Sequence, residues 1–139
     1  NTYTQIEGGA RVLRGQTWAT RFHVNIPADV PQGYYRLGFG ILGESHPKVD
    51  GPNRYTAAGV DYVFAQYVTH KGRFSAGLGA AQLFSDSGYS GTRTQFALSL
   101  AVEVTKNCEL TWFHMSNAGT QSPNGGFDIP MFGCRLQRR

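Results

Sequence analysis

Charge is scarce in this chain: only 16% of its 139 residues are Asp, Glu, Lys or Arg. Long apolar runs are absent too. None approaches the roughly 20 residues that a transmembrane helix needs, so insertion into a bilayer would have to use strands. There are two cysteines and four histidines, and no Cys/His cluster has zinc-like spacing. The residues therefore imply neither a metal nor a cofactor. Nucleotide loops are missing as well, since Gly38-Phe39-Gly40 and Gly77-Leu78-Gly79 lack the strand-to-helix context that phosphate binding requires. The 13 Lys and Arg against 9 Asp and Glu give a formal +4, a modest preference for anionic partners, of which Arg138 and Arg139 supply half. No basic run interleaved with aromatics marks a nucleic-acid surface, so no nucleic-acid partner is expected. The sequence starts at Asn1 with neither an initiator Met nor an apolar leader, as expected if a signal peptide was removed or never existed.

What is present points to strands. Eighteen glycines and 13% aromatics suit an all-β chain better than a helical bundle, and the length suits one domain over residues 1–139. Period-two alternation predicts eight strands, near 3–13, 17–27, 33–43, 56–69, 72–85, 93–105, 107–117 and 127–137. Trp18, Phe22, Val24 and Ile26 oppose Thr17, Arg21, His23 and Asn25; Tyr35, Leu37, Phe39 and Ile41 oppose Arg36, Gly38 and Gly40. Phe96, Leu98, Leu100 and Val102 oppose Gln95, Ser99 and Glu103 in the same way. The fourth strand is less clear: Val60, Tyr62 and Phe64 would form its oily face against Asp61, with Val63 and Tyr67 blurring the pattern. Short connections at 70–72 and 105–107 alternate with long ones at 43–54, 86–93 and 118–127, the rhythm of an up-and-down antiparallel barrel. The polar face would gather Glu7, Arg11, Arg21, His23, Arg36, Asp61, Glu103, Glu109 and Arg135, both signs mixed with glycines, as inside a narrow transmembrane barrel. A soluble lipocalin-like carrier, with the oily face inside, is the alternative that alternation alone leaves open.

The chemistry concentrates near the end. In His114-Met115-Ser116-Asn117-Ala118-Gly119, His114 and Ser116 share one face of an extended strand, together with Leu110 and Trp112. A hairpin closing through 118–127 would set Asp128 opposite His114, on a face shared with Phe132 and Leu136. The same unslipped register sets Cys108 opposite Cys134, at a separation a disulfide spans, and so favours an oxidising, periplasmic or extracellular compartment. Ser, His and an acid in this pattern suit ester hydrolysis, because a serine hydroxyl attacks well only when a neutral, oriented imidazole takes its proton. Backbone N–H groups of Asn117, Ala118 and Gly119, with the Asn124 side chain, are the nearest oxyanion donors. His23 reads as an interior hydrogen-bonding residue, His46 and His70 as loop residues, and Trp18 and Trp112 as packing or interface aromatics.

The motif His114-Met115-Ser116-Asn117-Ala118-Gly119, then Pro123-Asn124 and an acid fourteen positions after the histidine, resembles the active-site hairpin of lipid A 3-O-deacylases of the PagL type. The resemblance implies a small eight-stranded outer-membrane barrel that removes the 3-linked acyl chain of lipid A within lipopolysaccharide. It implies Ser116 as nucleophile, His114 as general base and Asp128 as orienting acid, with the site on the outer wall near the extracellular rim. The chain departs from the pattern at Asp128, where the family carries Glu, and at its Arg135-to-Arg139 end, where such barrels usually place an aromatic. A non-catalytic structural or adhesive barrel of an extracellular or virion assembly is the second alternative. Expected partners are lipid A and membrane lipids, with homo-oligomerisation left open.

Overall fold

The computed structural model describes residues 2–12, 17–28, 33–43, 60–84, 93–117 and 126–136. They form β1 (Tyr3–Arg11), β2 (Thr17–Pro27), β3 (Gly33–Leu42), β4 (Val60–Lys71), β5 (Phe74–Leu83), β6 (Thr94–Glu103), β7 (Cys108–Ser116) and β8 (Phe127–Leu136). Each strand pairs antiparallel with its chain neighbours, and β8 returns to β1, with Cys134 opposite Ile6 and Phe132 opposite Gly8. The sheet is thus a closed eight-stranded up-and-down barrel, the expected class. Among the described strands, closure leaves no unpaired edge.

The tight turns set one end of the barrel. Lys71 pairs with Phe74, leaving Gly72 and Arg73 as the loop, and Gly72 takes a φ of 61°, a conformation glycine adopts without steric penalty. At the next turn on this end, the Thr105 hydroxyl accepts hydrogen bonds from the N–H groups of Asn107 and Cys108, at 3.3 and 3.1 Å. All the long connections lie at the opposite end.

Large apolar side chains from every strand point outward: Ile6, Trp18, Phe39, Val63, Leu78, Leu100, Leu110 and Phe132 among them, with Leu100 66% and Leu78 62% exposed. Polar side chains are inside, where Gln5, Glu7, Arg11, Arg21, His23, Asn25 and Arg36 are all buried. An apolar wall this continuous is incompatible with water and matches a bilayer, which strands of 9 to 12 residues are long enough to cross. The carrier alternative needs the reverse arrangement and is set aside.

Inside, charged side chains of β1, β2, β3 and β7 pair with one another. Glu7 Oε1 accepts from Arg21 Nη2 at 2.7 Å and also contacts His23 Nε2; His23 Nδ1 is 2.9 Å from Asn25 Nδ2. Arg36 Nε donates to Asn25 Oδ1 at 2.7 Å, and Glu109 receives Gln5 Nε2 at 2.9 Å and Arg36 Nη2 at 3.5 Å. Space for this network comes partly from Gly133, where a Cβ would collide with the Glu7 side chain. His23 is the interior hydrogen-bonding residue expected. Towards the long-loop end the interior becomes apolar, filled by Tyr62, Phe64, Phe113, Met115, Phe127 and Ile129.

That apolar half corrects the fourth strand. Val60, Tyr62 and Phe64 point inward, and Asp61, expected on the interior polar face, is exposed outside at the loop end of β4. Gly40 lies opposite Tyr62, and its missing side chain leaves the volume that the Tyr62 ring occupies. The outward apolar residue is Val63. His70 also differs from expectation: it lies in β4, its ring 5.6 Å from that of Tyr34. His46 lies outside the described residues.

Candidate active site

Alternation in β7 and β8 decides what each residue faces. Thr111, Phe113 and Met115 of β7, with Phe127, Ile129 and Met131 of β8, are buried in the barrel. The intervening side chains project from the outer wall. Pairing is unslipped, with Cys108 opposite Cys134, Leu110 opposite Phe132, Trp112 opposite Pro130 and His114 opposite Asp128. Cys108 and Cys134 form a disulfide at the short-turn end, closing a sequence separation of 26. The register inferred from the two pairs is the register observed.

At the long-loop end of this ladder, His114 Nδ1 lies 2.8 Å from Asp128 Oδ1, and the two side chains are 34% and 24% exposed. With a proton on Nδ1, the histidine donates to the carboxylate and keeps the Nε2 lone pair free to accept one. Ser116 is half-buried two residues further along the same face, opposite Phe96 of β6. Asn117, which follows it, is buried. Ala118, Gly119 and Asn124 lie outside the described residues.

Four further groups hold this corner, and sequence reasoning did not single them out for it. The Val12 N–H donates to the Asp128 carbonyl at 3.0 Å, so the end of β1 fixes the backbone of the acid. Gly126, with a φ of 65°, turns the chain into β8 beside His114; a Cβ there would be 3.6 Å from His114 Cε1. From the interior side, buried Arg11 donates to the Gly126 carbonyl at 3.4 Å and stacks 4.6 Å over the Phe127 ring. Trp112, expected to be a packing or interface aromatic, donates its indole N–H to Asp128 Oδ1 at 3.2 Å. Its position two residues before His114 on the same face was legible, but the diagonal reach to Asp128 was not.

Below the pair the outer wall carries an apolar groove of about 790 Å³, lined by Phe74, Ala76, Leu100, Leu110, Trp112 and Pro130. Among the described residues, no group of three or more His, Cys, Asp or Glu converges in a way that could hold a metal.

A closed barrel with an apolar outer wall, a paired polar interior and a histidine–carboxylate couple on the lipid-facing side is a transmembrane β-barrel equipped as hydrolases are. The chain belongs to the lipid A 3-O-deacylase (PagL) family, which it matches over residues 4–137. Among solved structures it is similar to the outer membrane enzyme PagL, with a TM-score of 0.62 and 14% identity over 99% of this chain and 100% of that one. At that identity the likeness speaks for the fold. No curated protein sequence matches the chain.

Proposed function

We propose that this outer-membrane barrel hydrolyses the 3-linked acyl ester of lipid A in the outer leaflet, with Ser116 as nucleophile, His114 as general base and Asp128 as the orienting acid. The observation that carries the reading is the 2.8 Å contact between His114 Nδ1 and Asp128 Oδ1 on the outer wall. An acid and an imidazole paired on the outer wall, at the end of an apolar stripe, are costly there unless they serve each other, and the pairing is the one general-base chemistry uses.

The chemistry follows from the proton positions. Asp128 holds the His114 ring with Nε2 available; Nε2 takes the Ser116 hydroxyl proton as Oγ attacks the ester carbonyl carbon. The oxyanion that forms needs converging donors, and our candidates are the backbone N–H groups of Asn117, Ala118 and Gly119 with the Asn124 side chain. Collapse breaks the bond to the sugar oxygen, which leaves with the proton from His114. Water, deprotonated by His114, then attacks the acyl-serine; the acyl–Oγ bond breaks, His114 returns the proton to Ser116 Oγ, and a free fatty acid leaves. Asp128, through its contact with Nδ1, steadies the imidazolium at each transfer.

The location of the pair suits a membrane substrate. Its ester lies at the headgroup boundary, level with the long-loop end of the strands, while its acyl chains run along the wall below. Lipid A and the surrounding membrane lipids are then the partners, and the protein works without leaving the bilayer. The test is to incubate the purified barrel, and Ser116→Ala beside it, with lipid A in mild detergent and measure product masses. The reading expects loss of one acyl unit with the unaltered chain only. An unchanged spectrum from a folded barrel would leave a structural or adhesive shell instead.

A further inference from the structure

Asp128 Oδ1 receives two donors, His114 Nδ1 at 2.8 Å and Trp112 Nε1 at 3.2 Å. We propose that Trp112 is a positioning residue for the deacylation, its indole N–H holding the Asp128 carboxylate in the rotamer that faces His114. The proposal rests on the esterase reading above and adds a fourth side chain to it.

An indole nitrogen is a donor only, and on a lipid-facing wall a donor without an acceptor is costly. Trp112 is 41% exposed on that wall and finds its acceptor in the acid. The register makes this reach available: Trp112 pairs with Pro130 and His114 with Asp128, so the acid is the diagonal neighbour of the indole across the β7–β8 ladder. Pro130 has no N–H of its own and an apolar side chain, so it offers the carboxylate no competing donor.

An aspartate has two side-chain torsions, which hydrogen bonds to its carboxylate can fix. With one oxygen bound by two donors from β7, rotation away from His114 breaks both bonds at once. The main chain of the acid is held separately, by the Val12 N–H on its carbonyl. Backbone and carboxylate are thus anchored from opposite sides, β1 and β7. Trp112 also lines the outer groove, so its ring is packed where an acyl chain would lie, and the ring and its N–H have separable roles.

Trp112→Phe separates them, because it keeps an aromatic wall and removes only the donor. Initial rates on lipid A in mixed micelles should show kcat reduced by about tenfold with KM within about twofold, the effect of losing one hydrogen bond to a charged group. The deciding comparison is the double variant Trp112→Phe/Asp128→Ala, in which no acceptor is left at position 128: if the indole acts through the acid, it should be no slower than Asp128→Ala alone. Multiplying losses would overturn the proposal, as would a Trp112→Phe enzyme with an unaltered kcat or with a change confined to KM.

A second measurement does not depend on turnover. In the isotope-labelled full-length barrel, the Trp112 indole N–H resonance should lie downfield, as a hydrogen-bonded indole does, and should move upfield in Asp128→Ala at the same pH. A resonance indifferent to the acid overturns the positioning role even if the enzyme is active. A responsive resonance in a barrel that releases no fatty acid overturns the esterase reading, and with it any role in catalysis.

Discussion

At the scale of single residues, the site depends on a few atoms whose alternatives are chemically close. Asparagine has the shape of aspartate, yet at position 128 it would lose the charge that stabilises the histidinium and would present an amide that can favour the wrong tautomer of His114. Asp128→Asn should therefore reduce fatty-acid release from lipid A by about a thousandfold or more while the barrel folds normally, as initial rates and heat-modifiability on gels would show together. Gly126 is sensitive for a different reason. Its φ of 65° lies in the left-handed region, while a Cβ there would make only ordinary contact, 3.6 Å from His114 Cε1. The penalty for Gly126→Ala is thus backbone strain of about 1 kcal/mol rather than a clash, and Gly126→Asn should be milder because asparagine tolerates that region. Urea unfolding of the two variants in vesicles measures the difference.

At the scale of elements, β7 and β8 form one stapled unit: a disulfide at the short-turn end and the His114–Asp128 pair at the long-loop end, on the same outer face. Replacing both Cys108 and Cys134 by Ser should lower stability by about 3 kcal/mol, from the lost constraint on a loop of this size. The register should survive, because the hydrophobic alternation of both strands specifies it independently. The expected result is a lower urea midpoint with fatty-acid release nearly unchanged at low urea. This hairpin was also the part most legible in the sequence, since two unrelated residue pairs agreed on one alignment. The strands with one clean oily face, β2, β3 and β6, were equally readable. β4 was not: Val60, Tyr62 and Phe64 alternate with Val63, Ala65 and Tyr67, and two apolar faces carry no sign saying which is inside. The sign came from β3, where Gly40 left room for the Tyr62 ring. Trp112 on Asp128 and Arg11 on Gly126 were hidden for a related reason, because diagonal and inter-strand reach depends on side-chain torsions that periodicity does not encode.

At the scale of the whole molecule, the barrel inverts the usual order of polar and apolar, and its two faces should respond oppositely to added charge. Outside, an arginine has nothing to pair with at mid-depth. Leu78, 62% exposed near the middle of β5, opposite Tyr67 and Leu98 of the neighbouring strands, is such a position. Leu78→Arg should cost about 2–4 kcal/mol in a bilayer, less near the strand ends where the side chain can reach the headgroups. Inside, charge is already present, and around Glu7 it is paired. Glu7 is the anion between Arg21 and His23, so Glu7→Ala would remove the partner and leave the Arg21 guanidinium buried among aromatic rings, 4.8 Å from the Phe64 ring and 4.6 Å from that of Phe113. Breaking a buried pair from one side typically costs about 3–5 kcal/mol. Changing both members, as in Glu7→Leu/Arg21→Met, should restore much of that loss, since no unpaired charge remains. Equilibrium unfolding in vesicles, followed by tryptophan fluorescence, measures all three. If Glu7→Ala and the double variant are equally destabilised, the network acts through shape rather than charge; if only the double variant recovers, pairing is what lets so polar an interior stand within an oily wall.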